Sequence, residues 1–142
     1  MLPMFTSSEK GNFISKLSPS TPLPHPQSHT DKLARYRTLI KNLLTQYAEL
    51  VNRQPVPGLE TKVVFDKKRD HYMLLNVGWS PQGRVRGPIV YVRLRNGKFW
   101  VEEDWLEDGI ATDLLKADVP KEDIVLAFHH PDTRPHGEFA VA

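Results

Sequence analysis

Apolar residues recur at steps of three and four through TDKLARYRTLIKNLLTQYAELVN: Leu33, Tyr36, Ile40, Leu43, Leu44, Tyr47 and Val51. That spacing lines them along one stripe of a helix. Thr30 reads as its N-cap, and Asp31 suits the positive end of the helix dipole. Asn52 followed by Pro55, Pro57 and Gly58 ends it. Lys32, Arg35, Arg37 and Lys41 fall mostly off the stripe and are expected in water.

The period then changes from helical to two. ETKVVFD is a short β-branched run. In HYMLLNVGW, Met73, Leu75, Val77 and Trp79 alternate with Tyr72, Asn76 and Gly78, and the first set is expected to face the core. In VRGPIVYVRLR, Val90, Val92 and Leu94 face one way, and Tyr91, Arg93 and Arg95 the other. NGKFWVEE opens a fourth strand after Asn96-Gly97, a strong hairpin signal because a type I′ turn needs positive φ at both central residues. Ser80-Pro81-Gln82-Gly83 marks another turn. Pro88 implies a bulge or an unpaired position in the third strand. The fold class is therefore α+β: an N-terminal amphipathic helix packed on a four-stranded antiparallel meander sheet. Short helices and a short C-terminal strand follow, from Ile110, Leu114 and Leu115 capped by Asp108, from a turn at Pro120, and from IVLAF. Phe139 and Val141 are expected to pack.

Composition changes the picture at the N-terminus. Residues 1–30 carry five of the twelve prolines among Ser and Thr. Such a segment sustains no periodic apolar face and is expected to be a disordered tail, extended around Pro22, Pro24 and Pro26. Phe5, Phe13 and Ile14 in it could dock locally. Residues 31–142 form the single domain. No apolar run reaches bilayer-spanning length, and the start lacks the order of parts of a signal peptide, so a non-membrane, cytoplasmic protein is expected. The chain has no cysteine, which excludes disulfides, thiolate zinc sites and a thiol nucleophile.

Net charge is only +2, but it is segregated. Residues 53–98 hold ten Lys/Arg against three Asp/Glu, and residues 99–142 hold three against eleven. Such a dipole steers encounters with charged partners; a solvated mixed surface is the plain reading.

Little chemistry is organised. The charged run Asp66 to Asp70 lies between two strands, where a solvated turn is the first reading and a phosphate or acidic-partner contact by Lys67, Lys68 and Arg69 the second. Catalysis by Asp70 and His71 would need a cleft and a second oriented group. His129, His130, Asp132 and His136 sit on a proline-broken loop, where ligands do not naturally converge. Glu102, Glu103, Asp104, Glu107 and Asp108 suggest a solvated or partner-facing strand end before they suggest a cation site. No Gly-rich phosphate loop or nucleophile elbow is present. No cofactor, metal or catalytic residue is therefore expected.

The sheet face opposite the helix is the better candidate. Tyr72, Tyr91, Arg93, Arg95, Lys98 and Trp100 are assigned to it. Aromatic rings among cations suit a protein interface, with Tyr72, Tyr91, Arg93 and Trp100 as its residues. They also suit nucleic acid, with Lys67, Lys68, Arg69, Arg84, Arg86 and Arg95 as contacts. A covering layer from the C-terminal segment would instead bury the rings.

From Asp31 to Ala142 the chain resembles the XisI-like family, the fdxN-element excision controlling factors known mainly from cyanobacteria. The resemblance is carried by DKLARYRTLIKNLLTQYAEL, FDKKRDHYMLLNVGW, NGKFWVEED, GIATDLLKADVPKEDIVLAFHHP and the terminal FAVA. Asp70, His71, Tyr72, Trp79, Asn96, Gly97, Pro120 and His129 match the family pattern; most are read as structural. The proline-rich start departs from it. The resemblance implies a small α+β domain without established catalytic residues. It further implies a non-enzymatic accessory factor for excision of a DNA element, acting with an XisH-like, endonuclease-fold protein. A homodimer and indirect or weak contact with DNA go with this reading; a direct nucleic-acid-binding module and an antitoxin-like neutraliser of a nuclease partner are the alternatives.

Overall fold

A computed structural model of the chain describes residues 29–142. The tail expectations, including Phe5, Phe13, Ile14 and the proline run, lie outside the described residues. Helix α1 spans His29–Asn52, so Thr30 lies within its first turn and not at a cap. Tyr36, Ile40, Leu43, Leu44 and Tyr47 are buried, as the stripe required. Each fully buried aliphatic contributes about 1.5–3 kcal/mol.

The sheet runs in chain order, β1 (Leu59–Asp66), β2 (His71–Ser80), β3 (Gly83–Arg95), β4 (Lys98–Asp104) and β5 (Ile124–Leu126). The first four form the antiparallel meander. IVL, expected as a short strand, joins its edge parallel to β4, after a connection containing α2 (Ile110–Lys116) and a 3-10 turn at Lys121–Asp123. Asn96 and Gly97 both have positive φ, 54° and 74°, as the hairpin demanded. Beside Pro88 the register shifts: Leu74 pairs with Val90 but Leu75 with Pro88, leaving Ile89 as the bulged residue. A second bulge lies between Tyr91 and Val92.

Three further expectations are corrected. The core face of β2 carries Tyr72 and Leu74, both fully buried, whereas Met73, Leu75 and Val77 are half-buried and Trp79 is exposed. Tyr-Met-Leu-Leu is apolar on both faces, so alternation alone did not orient it. The pairing of Tyr72 with Val92 and of Leu74 with Val90 did. The cap of α2 is also reassigned. Gly109 holds the N-cap position, and the Asp104 carboxylate accepts from the Ile110 N–H at 2.7 Å. Asp108 contributes its carbonyl to Thr112. At the C-terminus Phe139 packs on the core, but Val141 is half exposed.

Candidate functional site

One face of the sheet carries α1. On the other, cross-strand pairing builds a row from Asp66 through His71, Arg93 and Trp100 to Val125. The next row holds Val64, Met73 and Tyr91, and Lys62 and Leu75 follow. Tyr91 Oη lies 2.8 Å from His71 Nδ1. Arg93 Nε donates to Glu102 Oε2 at 3.0 Å, with both side chains about a quarter to a third exposed. These pairs fix the orientation of the polar groups while leaving them at the surface.

The β4–β5 side of this face is covered. Trp100 lies between the guanidinium groups of Arg95 and Arg134, at 5.2 and 5.7 Å from its ring centre, and its indole N–H donates to the Arg95 carbonyl. Only 9% of Trp100 is exposed, so it supports the face and offers little of itself. Arg134 is held by the carbonyls of Ala127, His129 and Val141. The β1–β3 side is left open, with Val64, Met73, Leu75, Val77, Tyr91 and Arg93. Trp79, stacked with Arg84 at 5.5 Å, extends it to the far hairpin.

Tyr72 is corrected as an interface residue. Its ring lies in the core under α1, and its hydroxyl donates to Asp70 Oδ1 at 2.8 Å. Asp70 also accepts two bonds from Arg37, at 2.8 and 2.9 Å. Burial pushes the Asp70 carboxyl up, but the Arg37 and Tyr72 hydrogen bonds and the Arg37 charge outweigh it and hold it below the usual carboxylate range. Asp70 therefore ties the helix to the β1–β2 turn, and its side-chain hydrogen bonds go to Arg37 and Tyr72, while His71 bonds Tyr91. Arg37, expected in water, is the helix end of that tie.

The basic residues divide. Lys67, Lys68 and Arg69 are exposed on the β1–β2 turn, with Arg95 at the same end of the sheet. Arg84 and Arg86 sit near the β2–β3 hairpin, roughly 30 Å away along a ten-residue strand. They form no single phosphate-binding track.

Titratable groups elsewhere are committed to structure. Asp104 caps α2; burial raises its carboxyl pKa, aided by the Asp113 charge and opposed by the N–H groups of Ile110 and Leu106. Tyr47 donates to the buried Asp113, and Tyr36 to Asp123 at 2.6 Å. His129, His130 and His136 are exposed on the C-terminal loop. Among the described residues no group of three or more His, Asp or Glu side chains gathers to hold a metal. An open groove of about 530 Å³ beside the end of α1 is lined by Val51, Val56, Asn76, Ile89 and Trp105 among others. The polar groups at its base bond one another, Thr61 to Asn76 and Asn52 to the Thr61 carbonyl. No described helix is long and apolar enough to cross a membrane.

Sequence reasoning missed Val64, Met73 and Leu75 as surface and Glu102 as the partner of Arg93. Glu60 and Lys62 outward with Thr61 and Val63 inward was a usable signal, since β1 fixes the faces of β2.

Comparison with known proteins agrees with this geometry. The family model described as XisI protein matches residues 30–141. The structure is similar to that of a XisI-like protein from Anabaena variabilis, with a TM-score of 0.71 and 32% identity, covering 78% of this chain and 99% of that one. It is similar also to the fdxN element excision controlling factor XisI from Anabaena variabilis, with a TM-score of 0.68, 39% identity and the same coverage. Among curated proteins, none matches.

Proposed function

The chain belongs to the XisI family, and on that premise we propose that it is a non-enzymatic controlling factor for excision of a DNA element, acting by association with an XisH-like protein. The observation that carries the mode of action is the open β1–β3 face. Apolar Val64, Met73 and Leu75 stand beside Tyr91 and Arg93, whose polar atoms are held in place by His71 and Glu102. A rigid aromatic, an oriented guanidinium and half-buried aliphatics are the parts of an interface hot spot. The titratable pairs of this face lie on a surface without a water-shielded cleft, which suits recognition and not general acid–base chemistry. The relative named as an excision controlling factor supports the process. Contact with the partner changes that partner's activity only where it discriminates between two of its states.

Co-expression with the XisH-like product of a neighbouring gene tests this. A one-to-one complex is expected that persists as salt rises. Tyr91→Ala and Met73→Asp should weaken it at least tenfold without lowering thermal stability by more than a few degrees. Absence of any complex, or a complex indifferent to both substitutions, would refute the reading. Direct DNA binding that falls steeply with salt and with Lys67→Glu/Lys68→Glu would support the nucleic-acid module in its place.

A further inference from the structure

The two edges of the sheet are treated differently. β5 is three residues long and is covered outside, where Val125 bridges Ala140 and the Ala140 N–H donates to the Ile124 carbonyl at 2.9 Å. β1 is eight residues long, pairs with β2 without a bulge and contains no proline. A long regular edge of this kind is a template for another strand.

The hydrogen-bond phase of β1 locates where that template is open. The Trp79 N–H donates to the Gly58 carbonyl, so Gly58, Glu60, Lys62, Val64 and Asp66 direct their backbone groups to β2. Leu59, Thr61, Val63 and Phe65 direct theirs outward. The first half of this outward row is already engaged. The Leu59 N–H donates to Val56, and the Thr61 carbonyl accepts from Asn52 Nδ2. For Val63 and Phe65 no such partner is found among the described residues.

We infer that a second copy of this chain docks on the Val63–Phe65 half of the β1 edge, antiparallel about a two-fold axis at Val64. Side-chain complementarity selects this register. An axis at Lys62 would set lysine against lysine, and one at Val63 would set Glu60 against Asp66. An axis at Thr61 would require the edge that Asn52 occupies, and it would leave Val64 uncovered. The axis at Val64 places Val64, which is 43% exposed, against its own copy. It sets Lys62 against Asp66 twice, and it lets Val63 and Phe65 exchange four backbone hydrogen bonds with Phe65 and Val63 of the second copy. The two sheets become one, with both helices on one side and both open faces on the other. The interface shares only Val64 with the proposed partner face, and it places two copies of that face side by side.

The absence of native cysteine makes the register readable. The full chain is expected to sediment as a dimer at about 100 μM, a concentration at which contacts of μM affinity are populated. In Val64→Cys, non-hydrogen-bonded cross-strand pairing brings the two Cα atoms to about 4.5 Å, within disulfide range. Mild oxidation should give a covalent dimer. In Lys62→Cys the equivalent atoms are about 13 Å apart along the strands, and cross-linking should fail. Val64→Lys faces lysine with lysine and should raise the dimer Kd roughly tenfold or more. Because Val64 lies on the exposed face, the circular dichroism of Val64→Lys should stay native, and its melting should match wild type at dilutions where both are monomeric. A wild-type monomer would overturn the inference. So would a dimer that cross-links at Lys62→Cys or ignores Val64→Lys.

Discussion

Replacing Asp70 by asparagine and by alanine separates the work of its charge from that of its backbone. Asp70 has φ of 61°, a conformation that asparagine tolerates and alanine does not. Its carboxylate accepts from both Arg37 nitrogens and from Tyr72 Oη. The Arg37 side chain is 37% exposed and that of Asp70 14%, so the ion pair itself is screened and worth up to about 1 kcal/mol. The bond from buried Tyr72 to a charged acceptor adds roughly 1.5 kcal/mol. Some of this survives in an amide, so Asp70→Asn should cost about 1–2 kcal/mol. Asp70→Ala loses all of it and adds about 1–2 kcal/mol of left-handed strain. The assay is urea unfolding, supported by melting, where a domain of this size loses roughly 4–5 °C per kcal/mol. The pH dependence is a second readout. The folded pKa of Asp70 is depressed, so the stabilisation is complete above the unfolded carboxylate pKa and is lost as pH falls through the lower folded value. As pH falls below the unfolded carboxylate pKa and through the lower folded value, the wild type should therefore converge on Asp70→Asn. Equal stability of wild type and Asp70→Asn near neutrality, or a constant gap between them on acidification, would refute the reasoning.

Gly78→Ala should destabilise by at least ~3 kcal/mol by urea unfolding, because Gly78 has φ of 147° and a Cβ there would stand 1.9 Å from the Gly58 carbonyl oxygen. Gly83→Ala, where a Cβ would meet nothing within 4 Å although φ is 126°, serves as the strained but unclashed control and should cost clearly less. Burial and neighbouring carboxylates raise the pKa of Tyr36, Tyr47 and Tyr72. An alkaline phenolate titration should therefore show these three tyrosines ionising only as the fold is lost, and Tyr47→Phe should lower the amplitude of that late phase.

Sequence periodicity carries the helix, the strands and the hairpin at Asn96-Gly97, because each of these is dictated within a few residues. A three-to-four spacing of Leu33, Tyr36, Ile40 and Leu43 has one folded use, and an Asn-Gly pair accepts positive φ that other residues resist. Pro88 announced its bulge for the same local reason: it lacks a donor for the ladder. The resemblance of the chain to the XisI-like family was legible too, since order and motif survive in one dimension.

Other features depend on partners distant in the chain, and only the tertiary structure decided them. Tyr72 and Met73 are both apolar enough for a core, and the choice fell to the pairing of β2 with Val90 and Val92. Trp100 looked like an exposed anchor until Arg134, thirty-four positions on, closed over it. Charges that read as one basic half were separated to opposite ends of the sheet, because a meander returns every second turn to the same side. A residue's type determines what it can bury or bond, but the face it occupies is set by neighbours that local sequence does not name.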